Sequence, residues 1–165
     1  MTKTILVTIV WVALAACSSS SGTASVSQVP PYVALVHSYW AELQAADGIS
    51  GGVNVAAQSC LGSGGAGTEL VDPPTCRGRA VALVAVQRKF LSDLATIAVP
   101  QRFADEDHTL RTKLPTVISD LEALIAACDT GSKDKVFAAA GTYVSDMIPD
   151  VTRALDAIDP SVVHD

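Results

Sequence analysis

Chemistry in this chain has to come from few side chains: four cysteines, three histidines and a scatter of carboxylates. In Asp105-Glu106-Asp107-His108, Asp105 and His108 stand three apart, which places a carboxylate and an imidazole on one helix face, as in carboxylate-bridged metal bundles. Such a centre also needs a matching pair on another helix and further glutamates, and nothing comparable occurs elsewhere in the sequence. An acidic first turn that complements the positive end of a helix dipole accounts for the same residues without metal. Gly62, Gly64 and Gly67 satisfy a GxGxxG spacing. No strand leads into them, and Asp72-Pro73-Pro74 is expected to block a helix after them, so the stretch reads as a loop and not as a nucleotide cradle. His37 reads as a surface or core-edge residue and His164 as a tail residue. No Ser, His and Asp arrangement forms a nucleophile motif.

The most specific pattern is Leu14-Ala15-Ala16-Cys17, one branched residue and two small ones before a thiol. It closes an apolar run from Ile5 to Leu14 behind Lys3, and Ser18-Ser19-Ser20-Ser21-Gly22 follows at once. The segment resembles the lipobox signal of bacterial lipoproteins. A membrane-bound peptidase must fit small side chains just before the cut, and only a thiol forms the required thioether. The resemblance implies cleavage between Ala16 and Cys17, loss of residues 1–16, diacylglycerol on the Cys17 sulfur and acylation of the new amine. From Thr4 to Ala16 the apolar run falls well short of the roughly 20 residues of a spanning helix. Each buried methylene of an acyl chain adds about 0.8 kcal/mol, so two or three chains make a lasting anchor. The expected location is the extracytoplasmic face of a cell membrane. A bias toward Ala, Val, Gly and Asp resembles exported proteins of high-GC bacteria, which points to an actinobacterial source.

After the signal, residues 17–30 read as a lipidated cysteine and a flexible tether. They are nearly all small or polar and uncharged, too poor in apolar surface to offset the entropy of ordering. The reach of such a dozen-residue coil is about 20 Å. Residues 31–165 then fit a single domain with one core. The full chain carries a formal net charge of −6, and residues 1–16 contribute only Lys3 to it. The remaining basic residues are scattered, as in Arg77 and Arg79 or Lys133 and Lys135, so nucleic acid, which requires a basic stripe to displace counterions, is not an expected partner. Membrane contact is expected through the N-terminal lipid and not through charge.

Hydrophobic spacing says what positions these residues. Tyr32, Val33, Val36, Tyr39, Trp40 and Leu43 recur three and four apart, which predicts a first helix from Pro31 to about Ala46. Residues 48–74 form a Gly-rich loop, with a helical turn or two conceivable only over Val53 to Cys60. Thr75 reads as the N-cap of a second helix carrying Val81, Val84, Arg88, Leu91, Leu94 and Ile97. A third runs from about Phe103 to Cys128 with Leu110, Leu114, Val117, Leu121, Leu124 and Ile125 on one stripe. Asp129-Thr130-Gly131 stops it. Ser132 caps a fourth, in which Val136, Phe137, Ala140, Tyr143, Val144, Met147, Val151, Leu155 and Ile158 face the core. The expectation is an all-α, antiparallel up-and-down bundle of about four helices, the last two kinked at Pro115 and Pro149; such kinks either wrap the core or splay the pair apart and leave a pocket.

Export would place Cys60, Cys76 and Cys128 in an oxidising compartment, where disulfides persist and an odd count leaves one unpaired. In such a bundle the start of the second helix and the end of the third share an end, so Cys76 and Cys128 are neighbours and Cys60 enters from the adjacent loop. All three pairings stay open. Cys60 with Cys76 closes the Gly-rich loop locally, and a loop of about 15 residues gains roughly 3 kcal/mol from constraining the unfolded chain. Cys128, on the apolar stripe, reads as a buried inert thiol if left over. The function expected is a non-enzymatic, cofactor-free binding or accessory module that offers its bundle to a small apolar ligand or an envelope protein. The alternative is a metal-binding bundle that uses Asp105 and His108.

Overall fold

The computed structural model describes residues 30–47, 60–61 and 71–162. The expected signal peptide, Cys17 and residues 18–29 of the expected tether, together with Gly62 to Gly67 and His164, lie outside the described residues. The first helix, α1 (Pro31–Asp47), opens on a proline whose fixed φ suits the first helical position. It buries Tyr32, Val36, Tyr39, Trp40 and Leu43.

The second helix, α2 (Pro73–Thr96), starts earlier than its sequence implied. Asp72 occupies the N-cap position and both prolines sit in the first turn. Thr75 is not the cap; its hydroxyl donates to the Asp72 carboxylate, and the Cys76 N–H donates to the Asp72 carbonyl at 2.9 Å. The expectation that Asp72-Pro73-Pro74 blocks a helix is overturned for a simple reason. The first N–H groups of a helix have no intrahelical acceptor, so prolines there forfeit nothing.

A 3-10 turn at Gln101–Phe103 leads into α3 (Ala104–Asp129). Pro115 lies inside α3, exposed, and the helix neither ends nor restarts there. The helix stops where expected: Gly131 takes φ +66°, and its N–H donates to the Cys128 carbonyl at 3.0 Å. Ser132 then caps α4 (Lys133–Asp146) by accepting from the Lys135 N–H at 3.4 Å. Around Pro149 the rod changes character, since Met147–Thr152 is π-helical before α5 (Arg153–Ile158) completes it. A proline that cannot donate to the preceding turn is absorbed there by a wider helix.

Helices adjacent in sequence pack against each other, and α5 returns to α1. Across α2 and α3, Arg77 pairs with Asp129, Arg88 with Glu122, and the Arg111 guanidinium with the Leu94 carbonyl. One partner rises along the chain as the other falls, which is the signature of an antiparallel pair. The result is an all-α bundle of four helical rods around one core, with no strand among the described residues.

Two residues depart from the expected core. Val81 on α2 is 45 % exposed and Phe137 on α4 is 39 % exposed. The true inner face of α2 runs through Cys76, Ala80, Leu83, Val84, Gln87, Phe90 and Leu94. One member of this face, Gln87, is a glutamine with 0 % exposure, which hydrophobic spacing passes over.

Candidate functional site

At the end of the bundle where α1 begins, α3 begins and α5 ends, a cleft of about 260 Å³ opens between helices. Asp105, Glu106 and Thr109 line it from the first turns of α3, and Asp150, Arg153, Ala154 and Ala157 from the π segment and α5. Two alanines leave the room, and charged groups of both signs rim it. Thr109 turns its hydroxyl back onto the Asp105 carbonyl at 2.9 Å, as mid-helix threonines do. Asp150 is held by the Lys113 ammonium at 2.6 Å, a hydrogen bond that keeps its carboxyl below the usual carboxylate range. Arg153 also lines the cleft, and its positive charge acts with that of Lys113 to hold the Asp150 carboxyl low. The arrangement can bind a small polar molecule. It presents neither a nucleophile nor a base set against one.

The four residues singled out in Asp105-Glu106-Asp107-His108 are divided by the helix. Asp105 and Glu106 face the cleft, and His108 is exposed outside its lining. Among the described residues no group of three or more His, Cys, Asp or Glu side chains is placed to hold a metal ion. Asp107 turns inward and is only 8 % exposed. It accepts from the Tyr32 hydroxyl at 3.0 Å and from Arg111 Nε at 2.6 Å. The remaining arm of Arg111 caps the Leu94 carbonyl near the end of α2. Asp107 and Arg111 thus tie α1, α2 and α3 together. Burial first, and then the bond to Asp107, push the Tyr32 phenol well above its ordinary range, so it stays a donor.

Other polar contacts join the helices away from the cleft lining. His37 Nδ1 lies 3.1 Å from Asp159 Oδ2 and joins α1 to the residue after α5. Burial alone would raise Asp159, but hydrogen bonds from Ser161 and His37 outweigh it and hold its carboxyl low. In the core, the Tyr39 hydroxyl donates to Gln87 Oε1 at 2.7 Å, and Tyr39 stacks on Phe90 at 3.8 Å between ring centres. On α3, burial and a hydrogen bond shared with Asp146 raise the Asp120 carboxyl above its ordinary value.

The sequence located Asp105 but not the cleft around it. A pocket between the kinked helices was one of two outcomes the prolines left open; the cleft adjoins the Pro149 segment, with a charged rim where an apolar ligand was the one considered. Asp107 and Gln87 carried no signal of their own, because a buried polar residue is legible only once its partners are known. At the opposite end of the bundle, Cys60 and Cys76 are joined in a disulfide with Cα atoms 5.2 Å apart, and Cys128 is a buried free thiol. Set beside known proteins, the chain matches no family model, no curated protein and no solved structure.

Proposed function

We propose that this protein is an exported lipoprotein, fastened to the extracytoplasmic face of a cell membrane by lipid on Cys17. Its helical bundle serves there as a binding or accessory module and not as an enzyme. The observation that carries this reading is Leu14-Ala15-Ala16-Cys17 at the end of the apolar run Ile5 to Leu14, with an uncharged Ser and Gly stretch directly after it. Two features of the folded body support it. A buried disulfide is a bond that persists outside reducing cytoplasm. The chain also enters the bundle at Pro30 and Pro31, where Tyr32 meets Phe103 with ring centres 6.0 Å apart, beside the cleft. A tether reaching about 20 Å from the lipid would therefore hold the cleft end nearest the headgroups. The mixed charges around Asp105, Glu106, Asp150 and Arg153 favour a small polar ligand over the apolar one that the sequence implied.

Detergent-phase partition of the protein expressed in a lipoprotein-processing bacterium tests the anchor. Wild type is expected in the detergent phase, and Cys17→Ser in the aqueous phase or retained as uncleaved precursor. Wild type found in the aqueous phase would remove the proposal.

A further inference from the structure

Three cysteines lie at the end of the bundle opposite the cleft, and two of them are bonded. The Cys60–Cys76 disulfide is buried at the first turn of α2, and Cys128 is a buried free thiol in the last turn of α3. The register between these helices fixes how close they come. Arg77 Nε meets Asp129 Oδ1 at 2.7 Å, and each of these residues directly follows one of the two cysteines. The pairs Arg88 with Glu122 and Leu94 with Arg111 continue the same antiparallel register along both helices. At a rise of about 1.5 Å per residue, Cys76 and Cys128 lie within about one turn of the same level. Both side chains belong to one core cluster.

We infer that Cys60, Cys76 and Cys128 form a thiol–disulfide exchange site that lets the disulfide move within the folded protein. The Cys128 thiolate attacks Cys76 Sγ, the bond from Cys76 to Cys60 breaks, and Cys60 leaves as a thiolate that takes up the proton Cys128 gave up. One disulfide and one thiol exist before and after, so the step needs neither oxidant nor reductant. Its product joins α2 to α3 across the bundle, whereas the starting bond ties Cys60 and the Gly-rich stretch to the head of α2. Both isomers are folded, and helix packing already holds Cys76 and Cys128 near one level, so the loop-closure entropy of the unfolded chain does not weigh against the second isomer. Burial first, and the Asp129 carboxylate next, push the Cys128 thiol up, with Arg77 opposing. Exchange therefore waits on opening at this end, and whatever loosens the Arg77–Asp129 pair speeds it. The site does not depend on the lipid anchor.

Peptide mapping after iodoacetamide quench of the full chain, purified from an oxidising compartment, reads the bond directly; the Cys17 peptide is scored separately. Wild type held folded at pH 8 without reductant is expected to become alkylated at Cys60 as well as at Cys128. The Cys60 label should vanish in Cys128→Ser. Cys60→Ser, verified as folded by circular dichroism, is expected to carry an intramolecular Cys76–Cys128 bond. Wild type labelled at Cys128 alone over many hours overturns the inference. So does folded Cys60→Ser with Cys76 and Cys128 both alkylated. Should Cys60→Ser fail to fold, the wild-type and Cys128→Ser arm decides by itself.

Discussion

Replacing Tyr39 by Phe and Gln87 by Met, singly and together, tests how the centre of the bundle is held. Gln87 has 0 % exposure, its Oε1 accepts from the Tyr39 hydroxyl at 2.7 Å, and among the described residues its amide nitrogen donates to Met147 Sδ, at 3.9 Å. Tyr39→Phe keeps the ring on Phe90 but strips Gln87 of its one good donor. Gln87→Met keeps the volume but leaves the phenol without an acceptor. Each single change orphans a buried polar atom and is expected to cost about 1–3 kcal/mol. The double change removes both polar atoms and leaves an apolar contact of similar shape, so its cost is expected near about 1 kcal/mol. With each single change at about 2 kcal/mol the coupling is about 3 kcal/mol, and the double variant should melt above the value expected from adding the singles by roughly 9–15 °C, taking about 3–5 °C per kcal/mol. Burial holds the Tyr39 phenol well above its ordinary value, with Tyr143 adding to the effect, so the cycle should not change between about pH 6 and 9. Urea and thermal unfolding of the four proteins measure it. Costs that add within about 0.5 kcal/mol would refute the reasoning.

Three other outcomes follow from the same contacts. Asp107→Ala is expected to cost about 2 kcal/mol in urea unfolding, less than a fully buried pair because Arg111 is 34 % exposed; a cost near zero would contradict the pinning role. Asp120 has a folded-state pKa above its unfolded one, so the native state holds more protons between those two values and stability falls as pH rises through that window. Asp120→Asn should therefore stabilise at pH 7 and lose its advantage below about pH 4, whereas equal effects at both pH values would exclude the carboxyl as cause. Pro115 leaves the carbonyl one turn before it without an N–H donor in an exposed stretch of α3, so Pro115→Ala should raise stability by about 1–3 kcal/mol, checked by calorimetry; no change would mean that the helix had already paid nothing for it.

The sequence was a good guide to the bundle and a poor one to its polar interior. Helix ends were legible where a single residue type dictates backbone geometry, as at Gly131 and Ser132. They were misread at Asp72-Pro73-Pro74, where the same prolines that end a helix are also tolerated at its start. On α2, spacing picked Val81 because it is apolar and in phase with Val84. The helix is in fact rotated so that Gln87 faces inward, a turn that pays only because Tyr39 on another helix supplies a donor. Phe137 shows the converse, an aromatic in phase with Val136 and Ala140 but at the edge of the stripe. The cleft was illegible because it depends on a π-helical segment and two alanines meeting the acidic first turn of α3, a juxtaposition that no local pattern encodes. The Cys60–Cys76 disulfide is the pairing that loop length favoured among three that the topology left open.

Mass spectrometry of the N-terminal peptide from native membranes tests the central claim most directly. The account predicts that the mature chain begins at Cys17 with diacylglycerol in thioether linkage on its sulfur. Residues 1–16 still attached, or an unmodified thiol at Cys17, would contradict it.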